Sequence, residues 1–445
     1  MIISLINLKS LDLIFDNNLF LIDFKKVIAN DWQELVIKYH GNKLPKTSFI
    51  LLLRNFSQIF INLLFRINTN LDSTKLSNSV YIFFFEDSHR IDKVRLFKGV
   101  INSFLNNTKQ NYICENFQSE PLYKISDFSK LQVKFHIFYK ILIKTKFHDP
   151  VKFATRLIFC NIVLKNINLY YYISKITFSP HSRFIFFNEY IAYQNIICQF
   201  ANYHKLITFS CQHAIYDFSF KSYPRMFESF TYSIVSKYYL CWGSSTKKCF
   251  DKLYSNHKTN FIVAGHPCRN MYTGLKSNNS FSPSHFVVLL SQKKHFNQNS
   301  SLIKIVSHCA KKFNFSYTLK FHPSDNFKNY TNLNIKDPLL VDVILQEKYV
   351  TDLFNNNSIC LFFATSAYYE VISLGVPCIK YSHKVGTYKI SPSFNSLTEL
   401  EDLLKNFKQI SDEYVKSATK LINNEFGPYT RYPSDKYKAL ISHYQ

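Results

Sequence analysis

The sequence predicts an α/β protein made of two doubly wound domains that face each other across a cleft. Three observations point there. The chain has 445 residues, too many for one ordinary core, so length favours more than one domain. From residue 183 onward, short apolar runs alternate with stretches of helical spacing, as expected for parallel strands between covering helices. One Ser-, Asn- and Pro-rich stretch, "YTGLKSNNSFSPSH" (272–285), interrupts the series and reads as a linker. The division is then 1–271 for the first domain and 286–425 for the second. A tail, 426–445, crosses back to the first.

The elements follow in order. The first 150 residues are hard to parse. The most apolar window, "SFILLLRNFSQIFINLLFRI" (48–67), carries Arg54 and Arg66. A spanning helix prefers about twenty uninterrupted apolar residues, so this window reads as a buried amphipathic helix, with a membrane-surface helix as the alternative. "SVYIFFFED" (79–87) reads as a buried strand, and "DKVRLFKGVINSFLNN" (92–107) has helical spacing. "KLQVKFHIFYKILIKTKF" fits either type. Then come "RFIFFNE" (strand), "YIAYQNIICQFANYHK" (helix), "LITFSCQH" and "YYLCWG" (strands), "SSTKKCFDKLYSN" (helix with a serine cap) and "TNFIVAGHP" (strand). After the linker, "FVVLLSQ", "FSYTLKFHP", "VDVILQ", "NSICLFFAT" and "VPCIKY" read as strands. "SSLIKIVSHCAKKF", "EKYVTDLFNN", "SAYYEVISLG" and "SLTELEDLLKNF" read as helices.

Lys and Arg number 54 against 30 Asp and Glu, a formal charge of +24. That invites a nucleic-acid reading. Abundant Lys, Asn, Ile, Phe and Tyr, with only 8 Gly, fit an A/T-rich coding sequence instead, and the lysines read as scattered rather than striped. Such a surface still suits anionic lipid at the inner face of the plasma membrane, or an anionic substrate. Ten cysteines include no C-x-x-C pair, so neither a zinc site nor a disulfide framework is expected. Cys198, Cys241 and Cys360 lie in apolar runs and read as core residues of a reducing, cytoplasmic compartment. Asp12 and Asp16 break the pattern of a signal peptide.

The chemistry-bearing residues cluster at predicted strand ends. In "LKFHPSDN" (319–326), Lys320 and His322 are two apart, so they share a face near a strand's carboxyl end. Such a pair can grip phosphate oxygens, and histidine can donate a proton to a leaving group. In "ATSAYYEVISLGVP", Thr365 and Ser366 sit where a helix begins, where free backbone N–H groups attract anions. Simple helix capping explains Ser366 equally well. Glu370 lies a turn later and can accept from sugar or ribose hydroxyls, and Gly375 ends the helix. In the first domain, "FSCQHAIYD" (209–217) and "VAGHPCRN" (263–270) are strands ending in His213 and His266. His213 is a candidate base for an acceptor hydroxyl, with Glu189 and Asp217 as carboxylate alternatives and Gln212 on the acceptor side. His266 reads more simply as part of a tight turn. No G-x-G-x-x-G and no Walker-type loop is present, so dinucleotide and P-loop chemistry is poorly supported. No Asp-x-Asp motif supports a metal clamp, so no metal and no other cofactor is expected.

Taken in order, "CQHAIYD", "YYLCWGSS", "VAGHPCRN", "LKFHPSD" and "ATSAYYEVISLGVP" resemble the motifs of bacterial surface-polysaccharide glycosyltransferases of the GT-B type. Those families build capsule and lipopolysaccharide, and the related teichoic-acid glycerophosphotransferases share the pattern. The resemblance covers about residues 183–381. It implies two Rossmann-like domains, with a nucleotide-sugar held by the second and a glycan or lipid-linked glycan acceptor by the first. It implies that His322, Thr365 and Ser366 contact donor phosphate and Glu370 the ribose or sugar. Two departures stand out. Ala214 replaces the usual glycine after His213, and Thr365 replaces the first serine of a pair. The alternatives are glycerophosphate transfer, epimerisation or hydrolysis of a nucleotide-sugar, and a non-enzymatic basic protein that binds membrane or nucleic acid.

Overall fold

A computed structural model of the chain describes residues 20–28, 57–69, 79–85, 91–105, 112–116, 119–125, 128–143, 150–187, 189–213, 233–253, 258–268, 282–322, 325, 330, 337–344, 348–382, 392–407, 418, 420–427, 437 and 439–440. In the first domain the elements run β1 (Phe65–Thr69), β2 (Tyr81–Phe85), α1 (Ile91–Leu105), β3 (Tyr112–Asn116), β4 (Ser119–Ile125), α2 (Phe128–Ile143), α3 (Pro150–Ile173), β5 (Arg183–Phe186), α4 (Ala192–Tyr203), β6 (Ile207–Cys211), β7 (Tyr238–Cys241), α5 (Ser244–Leu253) and β8 (Asn260–Val263). Six of these strands form a parallel sheet in the order β3-β2-β5-β6-β7-β8.

Alternation along the strands decides which side each residue covers. Ile82, Phe84, Phe184 and Phe186 pack with α2, α3 and α4 on one face. Tyr81, Phe83, Ile185 and Phe209 pack with Leu96, Phe97, Val100 and Phe104 of α1 on the other. Helices on both faces are what doubly wound means. The apolar window 48–67 departs from its expected single helix. Residues 57–64 are helical, and Phe65–Thr69 is then a strand, paired antiparallel with β4 in a small separate sheet. The break has a local cause. The fully buried Lys134 of α2 donates to the carbonyls of Leu63 and Phe65 and so caps the helix end.

The second domain runs β9 (His285–Leu289), α6 (Phe296–Phe313), β10 (Ser316–Lys320), β11 (Leu340–Ile344), β12 (Ser358–Phe362), α7 (Tyr368–Ser373), β13 (Cys378–Tyr381), β14 (Ser393–Phe394) and α8 (Leu397–Lys405). Its sheet is again six-stranded and parallel, in the order β11-β10-β9-β12-β13-β14. The linker residues 272–281 lie outside the described residues. The expected helix "EKYVTDLFNN" is only a 3-10 turn, Val350–Leu353. Phe286, Val288, Tyr317 and Leu319 face α6 and α8. Val287, Leu289, Cys360 and Phe362 face α7 and join the same apolar core as α1 and the first sheet. The two domains therefore share a core.

Ala418 and Ile422, with Phe426 and Tyr437 of the tail, complete that core. The Tyr437 hydroxyl donates to the Gly265 carbonyl (3.0 Å), and the His266 N–H donates to the Phe426 carbonyl (3.1 Å). Gly243 admits this approach, because a Cβ there would collide with the carbonyl of Asn424. Nine of the ten cysteines, all but Cys114, are free thiols, and no described helix is long and apolar enough to cross a membrane.

Candidate active site

In both sheets the strand order reverses at one place, β2/β5 in the first and β9/β12 in the second. Ligands of open α/β sheets bind beyond the carboxyl ends of the strands at such a point. Beyond β9, β10 and β12 lie Ser291, His322 and the pair Thr365–Ser366. Neighbouring strands are about 4.8 Å apart, so the ends of β10 and β12, with β9 between them, are about 10 Å apart.

Lys320 is the last residue of β10 and is 6% exposed. Its register partner on β9 is Leu289, which pairs with Phe362, which pairs with Lys380. These four residues form one row on the face that joins the shared core. Lys380, 8% exposed, is a second buried lysine in that row, and sequence reading missed it. The signal was available, as "VPCIKY" repeats the pattern of "YTLKF", an apolar run with one lysine near its carboxyl end. Two ammonium groups are thus buried along one row at the edge of the shared core. His322 follows the strand end and is half-buried.

Thr365 and Ser366 are not at the helix start that sequence spacing suggests. α7 begins at Tyr368 and has six residues. The Thr365 Oγ1 accepts from the Ala367 N–H (3.3 Å), and the Ser366 carbonyl accepts from the Tyr369 N–H (3.1 Å). The hydroxyls thus sit on a turn leading into a short helix, and the helix dipole contributes less than a long helix would. Ala364, just before them, has φ 41°. That left-handed conformation costs an alanine roughly 1 kcal/mol or more. Gly375 closes α7 with φ 79°, as a C′ glycine does.

What holds Ala364 there is a chain of hydrogen bonds that the sequence did not reveal. The Ser291 Oγ donates to the Ala364 carbonyl (2.9 Å). The Asn299 Oδ1 accepts from the Ser291 N–H, and its Nδ2 donates to both the Ser291 carbonyl and the Tyr330 hydroxyl. The Tyr330 hydroxyl donates to Asp325 (2.7 Å), and the Asp325 N–H donates to the His322 carbonyl (2.8 Å). Asn299 is fully buried, and its amide is fully used. Burial, and then the Asp325 carboxylate, push the Tyr330 hydroxyl well above its usual range. The relay ties the loops beyond three adjacent strands into one unit.

Glu370 of α7 is half-buried. Burial pushes the Cys268 thiol up to about 12; Arg95 lowers it and Glu370 raises it, so both charges act at the turn that follows β8. Arg95, also missed by the sequence reading, stacks over the Tyr349 ring (4.7 Å) and donates to the Thr351 Oγ1 (3.0 Å). α1 of the first domain is thereby joined to the second.

On the first-domain side, His213 follows β6 and is half-buried, with its ring 5.9 Å from Phe187 and 5.4 Å from Tyr190. It lies near the β5 end, beside the switch point. Glu189 does not suit the role of base. It is 3% exposed, and its carboxylate accepts from the N–H groups of Val235 and Ser236 and from the Ser236 hydroxyl. Burial raises its pKa and these bonds pull it back. Such a carboxylate anchors the 233–236 segment and cannot reach an acceptor. Gln212 is equally structural: fully buried, its Oε1 accepts from the Trp242 N–H (2.7 Å). Asp217 lies outside the described residues. His266 is 4% exposed and packs on Trp242 (4.3 Å), and its Nδ1 accepts from the Cys268 N–H. The turn reading holds for it. Among the described residues, no three His, Cys, Asp or Glu side chains converge as metal ligands.

No protein-family model matches the sequence, and no curated protein matches it. Solved structures do match. The UDP-GlcNAc 2-epimerase from Neisseria meningitidis, bound to UDP-GlcNAc, is 12% identical, with a TM-score of 0.50 over 82% of this chain and 99% of that one. The wall teichoic acid polymerase TagF is 11% identical, with a TM-score of 0.45 over 90% of this chain and 99% of the other. The lipopolysaccharide outer core galactosyltransferase WaaB is 13% identical, with a TM-score of 0.40 over 82% and 100%. The epimerase likeness shows the fold: two Rossmann-like α/β domains.

Proposed function

We propose that the chain is a glycosyltransferase that moves a sugar from a nucleotide-sugar to a growing cell-surface polysaccharide, capsule or lipopolysaccharide, without a metal ion. One observation supports this reading: Lys320 and His322 at the end of β10 and the Thr365–Ser366 turn after β12 flank β9 beside the switch point of the second sheet, and one buried relay links the loops there. Cations and hydroxyls in that position suit a phosphate. Lys320 supplies positive charge, and His322 and the two hydroxyls donate to the diphosphate oxygens. Glu370 accepts from the ribose or sugar hydroxyls. The acceptor oxygen attacks the anomeric carbon as the bond to the diphosphate oxygen breaks. The acceptor proton passes to His213, and the nucleotide leaves as its diphosphate, stabilised by His322. Closure of the domains excludes water and aligns the two reactants.

A thermal-shift screen against UDP-, CMP-, GDP- and CDP-linked donors tests the reading, since a ligand of the native state raises its stability. UDP-sugars come first, because the Neisseria neighbour binds UDP-GlcNAc. Stabilisation by one donor that disappears in His322→Ala is expected; no shift with any donor overturns the proposal. A second reading, epimerisation or hydrolysis, is favoured by the identity of that neighbour. Altered sugar formed without any acceptor would select it, and glycerol phosphate incorporation would select the teichoic-acid type.

A further inference from the structure

We infer that Arg156 of α3 holds an oxyanion of the acceptor, a phosphate or a carboxylate, beyond the carboxyl edge of the first sheet. The assignment to the acceptor rests on the transferase reading; the oxyanion site does not. Arg156 belongs to the inner side of its helix. Phe159, Cys160, Val163, Ile167 and Tyr170 recur after it at helical spacing and are all buried in the first domain's core. The exposed Lys165 is nine positions on, about half a turn round the helix at roughly 100° per residue. The stripe that covers the sheet thus ends in an arginine. α3 leads into β5 and α4 follows it, so both helices run against the strands. Tyr170 meets Phe200 near their ends, with ring centroids 5.3 Å apart. At about 1.5 Å per residue, Arg156 stands about 21 Å from Tyr170, and Ala192 about 12 Å from Phe200. α3 therefore overhangs the start of α4 by about 9 Å at Arg156. Its inner side there faces the space beyond β2 and β5, the switch point of this sheet.

The Arg156 Nη1 is buried and has no hydrogen-bond partner, and no ion pair reaches the guanidinium among the described residues. α3 itself has no acidic residue. Burial lowers the guanidinium's pKa, as it does for a cation whose charge is not met. Lys134, buried on the same side of the sheet, differs: it donates to two carbonyls. A desolvated, unpaired charge costs stability, so folding alone gives no reason for the arginine. As a whole the residue is only half-buried, so solvent, and with it a ligand, reaches the guanidinium. Its planar fork fits two oxygens of a phosphate or carboxylate. The sheet decides which reactant supplies them. The second domain joins the first on the opposite face, through Tyr81, Phe83 and α1, so the sheet stands between Arg156 and the joint. The donor is assigned to loops of the second domain, and what reaches Arg156 is the far part of the acceptor.

Phosphate also suits the proposed donor loops, so the test runs on the full chain carrying His322→Ala. Its thermal unfolding is followed against inorganic phosphate and against glucuronate, with sodium chloride at matched ionic strength as the control. A saturable rise in the midpoint is expected with one of the two, phosphate marking a phosphorylated acceptor and glucuronate an acidic sugar. Adding Arg156→Met is expected to raise the half-saturating concentration roughly tenfold or more. Without anion it is expected to leave the midpoint as high or higher, since it removes an unpaired charge and keeps the apolar stem. Arg156→Lys keeps the charge but loses the fork; it serves if the Met variant folds poorly, and is expected to weaken binding too. An equal anion response with and without Arg156, or a response to neither anion, overturns the proposal. So does a lower midpoint of the Arg156→Met protein without anion, which would make the arginine structural. With His322 in place, Arg156→Met is expected to leave stabilisation by the nucleotide-sugar unchanged; its loss would move Arg156 to the donor and overturn the assignment to the acceptor. Failure of every nucleotide-sugar to stabilise the wild type sinks the transferase reading alone.

Discussion

His322 and Glu189 are both titratable residues at strand ends, and their surroundings differ. His322 is half-buried beyond β10. Its removal leaves no deep cavity, so His322→Ala is expected to lower turnover at least about a hundredfold while changing stability by no more than about 1 kcal/mol. Initial rates and thermal unfolding check this, and near-normal turnover in the folded variant would sink the role. Glu189→Ala strands the buried donors of Val235 and Ser236 and is expected to cost about 3 kcal/mol. The pH dependence follows from the raised carboxyl. The native state holds that proton more firmly than the unfolded chain. Its contribution is present below the unfolded value and is lost as pH rises through the folded one. Glu189→Gln is expected to remove that loss, which denaturant titrations at acid and neutral pH would reveal.

At the scale of elements, the loops beyond β9, β10 and β12 act through the Ser291–Asn299–Tyr330–Asp325 relay. Its middle link can be cut without removing bulk. Tyr330→Phe frees Asp325 from Asn299 and is expected to raise the donor KM roughly tenfold, with a smaller effect on kcat, and to cost about 1 kcal/mol of stability. A donor KM equal to the wild type's would mean that the relay only stabilises the fold. Ala364 belongs to the same unit. Its left-handed φ persists because the Ser291 bond and the strand end over-determine it.

For the whole molecule, the joint between domains is a shared apolar core sealed by the tail. Gly243→Ala pushes a methyl group into the Asn424 backbone and is expected to cost 3 kcal/mol or more, about the upper range for a point change. The tail should then become protease-sensitive. Limited proteolysis followed by mass analysis checks this, and a protected tail would mean the backbone yields cheaply. Arg95 is the polar part of the joint. Arg95→Ala removes a cation–π contact and a hydrogen bond and is expected to separate the melting of the two domains in calorimetry.

From residue 183 onward the sequence by itself determined most element types and the class of fold. Strand runs such as "YIFFF" and "HFVVL" and the spacing of α4 and α6 are local signals, and apolar periodicity alone reports them. It also named His213, His322, Lys320, Thr365 and Ser366 as candidates, because polar residues at the ends of apolar runs are visible without coordinates. Tertiary structure alone decided which of these are open to a ligand. Burial sealed Glu189 and Gln212, and a turn at Thr365–Ala367 delays the helix to Tyr368. Partners far apart in the chain, Arg95 with Thr351 and Ser291 with Ala364, built the joint and the relay. The reason is physical: periodicity records what each residue does with its neighbours in sequence. The cost of a buried charge or an unpaired amide depends on groups that only folding brings near.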